Sequence, residues 1–261
     1  MSRKFFDNTI ITKLRNKEPV SAAWSQLGSN MSAEILAEAG FDALIIDMEH
    51  SPVGLPHLVS IIQATKGTDC IPIVRAPCND MVWCKQILDA GAYGIHVPYV
   101  STKEEAEYAV KSCKYAPLGW RGIAGSQRAV NFSLQKDEYY ERANADVFVI
   151  AAIETREGVE NIGEIVSVEG LDGIFIGPAD LSTSMGYMAN PNVEEVREAI
   201  EKIERAVLKS EKFLGTVAPD IESAKKLYDR GYSLIYSMSD VTVLAKAASA
   251  AVKEFKKTYR K

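Results

Sequence analysis

The chain has 261 residues, 47% of them hydrophobic and 25% charged, with a formal net charge of −5. That is enough apolar material for one full core, and there is no cationic surplus, basic block or aromatic–basic interleaving to hold a nucleic-acid backbone. The opening MSRKFFDNTIITKLRN has no apolar stretch of the length that secretion or membrane spanning needs, so a cytoplasmic protein without a membrane partner is expected.

Eight short apolar runs follow in order: VSAAW (20–24), ALIID (43–47), IPIVR (71–75), GIHVP (94–98), VFVIAAI (147–153), GIFIG (173–177), FLGTV (213–217) and SLIYS (233–237). Each reads as a buried parallel strand, with amphipathic helices between most of them. Asp80 precedes MVWCKQILDAG, which stops at Gly91. Asn192, with Glu195 three residues on, has the form of a capping box before the stripe Val193, Val196, Ile200, Ile203 and Val207. Asp220 starts IESAKKLYDR, stopped by Gly231. Gly40, Gly91 and Gly231 each precede a strand, as left-handed helix ends do. The alternation predicts a single-domain (β/α)8 TIM barrel over residues 1–261. A doubly wound sheet is the alternative, but no GxGxxG follows an early strand; the first leads into QLGSNMSAE. The stretch 115–144 is too long for a simple loop and is expected to cover one end of the barrel as a binding loop. The last helix, about 240–259, is Ala-rich, a composition suited to close packing within or between subunits. Cys70, Cys78, Cys84 and Cys113 lack CxxC spacing and sit in or beside apolar segments, so they read as buried thiols rather than a disulfide framework or zinc site.

Chemistry is expected where the strands end. The fifth strand is followed by Glu154 and the sixth, through GPAD, by Asp180, and the helix-length segment 156–168 lies between. This βαβ unit returns both carboxylates to the same end of the sheet. Two converging carboxylates suit a hard divalent cation such as Mg2+ or Mn2+. The plainer alternative is that Glu154 caps a turn and Asp180 opens a helix. The second strand ends in IIDMEHSP, bringing Asp47, Glu49 and His50 to the same face, and the third ends at Arg75. An unpaired guanidinium there would be costly, and its fork suits the carboxylate and carbonyl of a 2-oxo acid. The turn Gly177, Pro178, Ala179 adds backbone N–H groups at a helix start for a substrate carboxylate. Of three histidines, His57 reads as structural and His96 as a packed barrel residue. His50 lies close enough to Asp47 for that carboxylate to fix its tautomer.

These residues carry a resemblance. AEILAEAGFDALIIDMEHSP, IPIVRAPCND, QILDAGAYGIHVPYV, WRG, IETREGVENI and VEGLDGIFIGPADLS are similar, along nearly the whole chain, to the HpcH/HpaI family of metal-dependent class II aldolases. The resemblance implies cleavage of a 4-hydroxy-2-oxo acid to pyruvate and an aldehyde, through a pyruvate enolate held by the metal and Arg75. It makes Glu154 and Asp180 the ligands of Mg2+ or Mn2+, with Co2+ also admissible, and His50 with Asp47 the proton-transfer pair. It also implies a homohexamer of dimers that exchange the last helix, with Asp89 reaching a neighbouring subunit's site. No lysine ends a strand, which speaks against Schiff-base chemistry. A related metal-enolate lyase or decarboxylase acting on another acyl substrate is the alternative.

Two departures bear on the substrate. The family's VQIE reads AAIE here, with Ala152 in place of a glutamine expected near the substrate, and the small-residue VAVGSD of the eighth strand reads IYSMSD. Gln127 or Ser237 could compensate at Ala152. In an otherwise family-like pocket, Ala152→Gln is expected to improve turnover.

Overall fold

The computed structural model describes residues 8–259; residues 1–7 and 260–261 of the expected domain lie outside them. Eight strands form: β1 (Val20–Ser25), β2 (Ala43–Asp47), β3 (Ile71–Arg75), β4 (Gly94–Val97), β5 (Phe148–Ile153), β6 (Gly173–Ile176), β7 (Phe213–Val217) and β8 (Leu234–Ser239). All pair in parallel and in sequence order, and β8 closes onto β1. This is the expected (β/α)8 barrel, with every apolar run in a strand.

Successive strand residues point to opposite faces, and both faces here are apolar. Ala22, Trp24, Ala43, Ile45, Ile71, Ile73, Phe148, Ile150, Ala152, Phe175, Phe213, Leu234 and Tyr236 fill the interior. Their neighbours Ala23, Leu44, Ile46, Val74, Val149, Ile174 and Ile235 face the surrounding helices. The helix Thr9–Arg15 sends Ile10, Ile11 and Leu14 into the interior cluster. Arg15 pairs with Asp172 just before β6, so this helix plugs the end where the strands begin and leaves the other end for polar groups.

Local chemistry explains most helix ends. Asp80 accepts from the N–H groups of Val82 and Trp83, and Asp220 from that of Ser223. Gly40, Gly91 and Gly231 have φ of 94°, 104° and 96°, the left-handed turns expected. Four expectations need correction. The helix after Asn192 is Glu194–Leu208, capped at Val193 without a side-chain bond, so no capping box forms. The segment 156–168 is two helices, Arg156–Glu160 and Ile162–Ile165, divided at Asn161, whose Nδ2 is tied to the carbonyl of Ser101. The stretch 115–144 holds a 3-10 turn, Arg128–Val130, and the start of the helix Lys136–Asp146. Its anchors, Arg121 on Asp89 and Arg128 on the carbonyl of Ala90, lie where the helix Met81–Asp89 ends, opposite the polar end of the barrel. Cys78 is exposed, while Cys70, Cys84 and Cys113 are buried, and all four are free.

The last helix, Asp240–Tyr259, stands off the barrel. Only Asp240 is buried, and Leu244, Val252, Phe255 and Tyr259 are more than half exposed at 58%, 52%, 52% and 74%. Asp240 ties its start down by accepting from the N–H groups of Gln26 and Leu27 and from Ser32 Oγ. Among the described residues, no helix is long and apolar enough to cross a membrane.

Glycine is required at the start of β4 and β6. A Cβ at Gly94 would sit 2.3 Å from the Phe148 ring, and one at Gly173 2.2 Å from the Phe213 ring. Both rings are fully buried and packed edge to face, so neither can swing aside. Gly94→Ala and Gly173→Ala are each expected to cost about 1–3 kcal/mol of unfolding free energy. Denaturant titration checks this, and unchanged midpoints would mean that the interior has slack.

Candidate active site

The alternation that fills the interior also aims the polar residues. Asp47 shares the phase of Ala43 and Ile45, Arg75 that of Ile71 and Ile73, and Glu154 that of Ile150 and Ala152, so all three turn inward as their strands end. Asp47 pairs in register with Arg75, and Arg75 with His96.

Asp47 is fully buried. Arg75 grips it with Nε on Oδ1 at 3.0 Å and Nη2 on Oδ2 at 2.7 Å, and Gln26 Nε2 adds a third bond at 3.0 Å. The N–H groups of Glu49 and His50 close on Oδ1 at 3.0 and 3.2 Å. Burial alone would raise the Asp47 carboxyl. The Arg75 hydrogen bonds and charge, with Gln26 and the His50 N–H, outweigh it and hold the pKa at about 2. The guanidinium lies 4.4 Å from the centroid of the Trp24 ring, a cation–π contact. Asp47 therefore meets His50 through the backbone. The imidazole instead has its Nε2 3.7 Å from Glu49 Oε2, with the His50 side chain 57% exposed, so the expected tautomer-fixing contact from Asp47 is absent.

Glu154 is 2% exposed, and its pKa is pushed up to about 8 by burial and then by the negative charges of Asp180 and Glu49, against Arg75 and the Tyr99 N–H. Its carboxyl occupies space that exists because residue 177 is glycine: a Cβ there would be 2.7 Å from Oε1. Gly177, Pro178 and Ala179 form the entry to the helix Pro178–Ser184, which presents half-buried Asp180. Glu49 Oε2 lies 3.2 Å from Arg75 Nη1 but is buried without an aligned hydrogen-bond donor. Tyr99 places its hydroxyl 3.5 Å from Asp180 Oδ1. It does so at φ 53°, a conformation that costs a bulky residue on the order of 1–3 kcal/mol.

The four carboxyl groups thus outnumber one guanidinium. Among the described residues there is no cluster of three or more His, Cys, Asp and Glu set to hold a metal. The Glu154–Asp180 pair, with an orphaned Glu49 oxygen beside it and a glycine cradle behind it, still fits a hard divalent ion. Mg2+ is commonly held by one or two carboxylates with water completing its shell. The donors are all oxygen, and their uncompensated charge is what such a cation offsets.

Below this layer the interior is aromatic. Tyr236 stacks on Phe175 with centroids 4.6 Å apart and meets Trp24 edge-on at 4.8 Å. His96 Nδ1 lies 3.2 Å from the Tyr236 hydroxyl, and burial, then the Arg75 charge, lower its pKa to about 3; it is a neutral packed residue, as expected. Ala152 is fully enclosed here, paired in register with Phe175. Tyr236 shares this interior cluster with Ala152, whereas Gln127 lies beside the 3-10 turn and Ser237 at the irregularity where β1 and β8 shift register.

His50, Arg75, Asp47, Ala152, Glu154, Asp180 and the 177–179 turn are brought to one end of the barrel. Asp89 is not: it ends the helix Met81–Asp89 and accepts from Arg121 Nη2 at 2.8 Å. His57 lies exposed on its helix rather than in the core. Sequence reasoning passed over Trp24, Gln26, Tyr99 and Tyr236. Inward phase marks Trp24 and Tyr236, but a strand-end position is the only signal for Gln26 and Tyr99.

Comparison with known proteins places the chain in a family. The chain is 36% identical over 257 residues to the 5-keto-4-deoxy-D-glucarate aldolase of Escherichia coli, covering 98% of this chain and 100% of that one. It superposes on an HpcH/HpaI aldolase/citrate lyase family protein from Burkholderia cenocepacia J2315 with a TM-score of 0.91 and 34% identity, covering 96% and 100% of the two chains. It also superposes on the citrate synthase SbnG with a TM-score of 0.87 and 29% identity, covering 98% and 100%. Residues 21–247 match the family as a whole, and the chain belongs to the HpcH/HpaI aldolase/citrate lyase family, an aldolase and lyase family of enzymes.

Proposed function

We propose that the protein is a divalent-metal-dependent class II aldolase that cleaves a 4-hydroxy-2-oxo acid to pyruvate and an aldehyde, in the cytoplasm. The observation that carries this reading is the Glu154–Asp180 pair standing beside a rigid Arg75 above a closed aromatic interior. Mg2+ or Mn2+, with Co2+ also admissible, would be held by Glu154 and Asp180 and would supply Lewis-acid stabilisation of charge developing on the 2-oxo group.

The protein's own residues do the rest. Asp47 uses the Nε and one Nη2 hydrogen of Arg75. Nη1, paired in charge with Glu49 at 3.2 Å but without an aligned hydrogen bond, and the second Nη2 hydrogen would turn to the 2-oxo oxygen, where enolate charge accumulates when C3–C4 breaks. Because Asp47, Gln26 and Trp24 already fix the guanidinium, little reorganisation accompanies that charge. His50 is exposed enough to exchange protons with solvent, and it takes the proton of the C4 hydroxyl. Asp47 acts on it through the backbone of residues 49–50, setting where the imidazole stands. The 177–179 turn orients the substrate carboxylate.

The same proposal includes a homohexamer whose subunits exchange the last helix. Support comes from the uncovered apolar side chains of Asp240–Tyr259, from exposed Ile123, Phe132 and Leu134 in the 115–144 stretch, and from Asp89. Arg121 holds Asp89 away from its own subunit's site, and in the proposed hexamer Asp89 would serve a neighbour's.

Metal binding is tested by titration calorimetry with Mn2+. Glu154→Gln and Asp180→Asn are each expected to lose binding and activity while remaining folded, and unchanged affinity in both would sink the assignment. The metal-free proteins carry a pH signature as well. Glu154's folded-state pKa of about 8 lies above its ordinary 4.5, so its contribution to stability is present below pH 4.5 and lost as pH rises through 8. Melting in chelator from pH 5 to 9 should show this decline in the wild type and its loss in Glu154→Gln.

His50→Ala is expected to slow cleavage roughly 10²–10⁴-fold at saturating metal, with Mn2+ affinity little changed. Wild-type turnover would reduce His50 to a loop residue. Light scattering is expected to find a hexamer of 28.7 kDa chains, with Asp89→Asn lowering kcat in the intact assembly; a fully active monomer would remove both the exchange and the role of Asp89.

A further inference from the structure

Tyr99 is the second residue beyond β4 and adopts φ 53°, a turn that glycine or asparagine makes without cost. Burial does not account for a ring there, because Tyr99 is 48% exposed. What the turn achieves is contact with both candidate metal ligands. The backbone N–H is directed at the Glu154 carboxyl, and the phenol oxygen stands 3.5 Å from Asp180 Oδ1. A hydroxyl at that distance is only loosely held, so its proton and its lone pairs remain available to another partner.

The direction of the substrate supplies that partner. Arg75 and the Trp24–Phe175–Tyr236 layer close the pocket inward. A 2-oxo acid with its carbonyl at Arg75 must therefore run outward from carbon 4 toward the rim, where Tyr99 stands. The charges of Asp180, Glu154 and Glu49 all bear on the phenol, so the rim favours a neutral, hydrogen-bonding substituent over an alkyl one.

We propose that Tyr99 is a specificity-determining residue: its phenol hydrogen-bonds the oxygen on carbon 5 of the 4-hydroxy-2-oxo acid, the hydroxyl beside the aldehyde carbon of the product. The assignment rests on the aldolase reading above and adds to it the residue that selects hydroxylated aldehydes. The experiment is aldol addition of pyruvate, at saturating Mn2+, to glycolaldehyde and to propionaldehyde, which differ by a hydroxyl in place of a methyl group. In Tyr99→Phe, kcat/KM for glycolaldehyde is expected to fall about three- to tenfold, the worth of one neutral hydrogen bond, while that for propionaldehyde stays within about twofold. A parallel fall for both aldehydes, or none for either, overturns the assignment and leaves the aldolase reading intact. No turnover of either aldehyde by the wild type overturns the aldolase reading and this assignment together. A second variant gives a readout apart from activity. Tyr99→Gly, melted without metal, is expected to gain a few degrees, because glycine relieves the turn. A lower midpoint would show that the ring serves packing and would overturn the functional account of the strain.

Discussion

The site depends on one buried ion pair, Asp47 with Arg75. Two charges taken out of water need good geometry and further hydrogen bonds to recover their hydration. Here the fork is bidentate, Gln26 supplies another donor, and the N–H groups of Glu49 and His50 take up the remaining lone pairs. The pair pins the ends of β2 and β3 together and sets the path of residues 47–50. It also holds the guanidinium over the Trp24 ring. Removing the Asp47 carboxylate would release the arginine and the histidine-bearing turn at once, so a loss of activity there would not by itself identify Asp47 as a proton carrier.

Against this satisfied pair stands an unsatisfied one. Glu154 and Asp180 lack a comparable partner, and the first is so poorly solvated that its proton is retained to about pH 8. The contrast is informative because the two carboxylates Asp47 and Glu154 occupy equivalent inward strand-end positions. Burial pushes both pKa values up; only Asp47 has a guanidinium in hydrogen-bond contact to bring its value down. A structural carboxylate is completed by its own protein, whereas Glu154 has no such partner, which supports the cation site proposed for it. Gly177 belongs to the same arrangement, since any side chain there would occupy the volume of the Glu154 carboxyl.

Much of this was legible in the sequence. Eight apolar runs, helix-stopping glycines and the aspartate caps at Asp80 and Asp220 are local signals, and local signals determine where strands and helices stand. Period-two alternation then dictates that Asp47, Arg75 and Glu154 face inward. The misreadings concern partners. Asp47 is three residues from His50, yet its carboxylate goes to an arginine 28 residues away, which proximity in sequence does not reveal. The segment 156–168 breaks at Asn161 because of a bond to Ser101, which helix periodicity cannot register. Tyr99 gives no compositional sign of its left-handed turn; the constraint lies in what the backbone N–H and the hydroxyl each touch.

The departures at Ala152 and in the eighth strand are one change when seen together. Taken alone, alanine for the glutamine implied by family resemblance is a lost hydrogen-bonding group and an empty volume. In the fold, Ala152 pairs in register with Phe175, and Phe175 is stacked against Tyr236, a ring from the strand that also departs from the family pattern. The ring carries a hydroxyl, but that hydroxyl meets His96 Nδ1, a neutral histidine buried with it, and Tyr236 is itself fully enclosed. The tyrosine hydroxyl and the histidine thus serve internal packing of the barrel floor. Binding selectivity that rests on hydrogen bonds to a ligand must then come from groups the ligand can still reach. On the proposed function those would be Arg75, the 177–179 turn and the residues of the rim, which is where the strained Tyr99 stands.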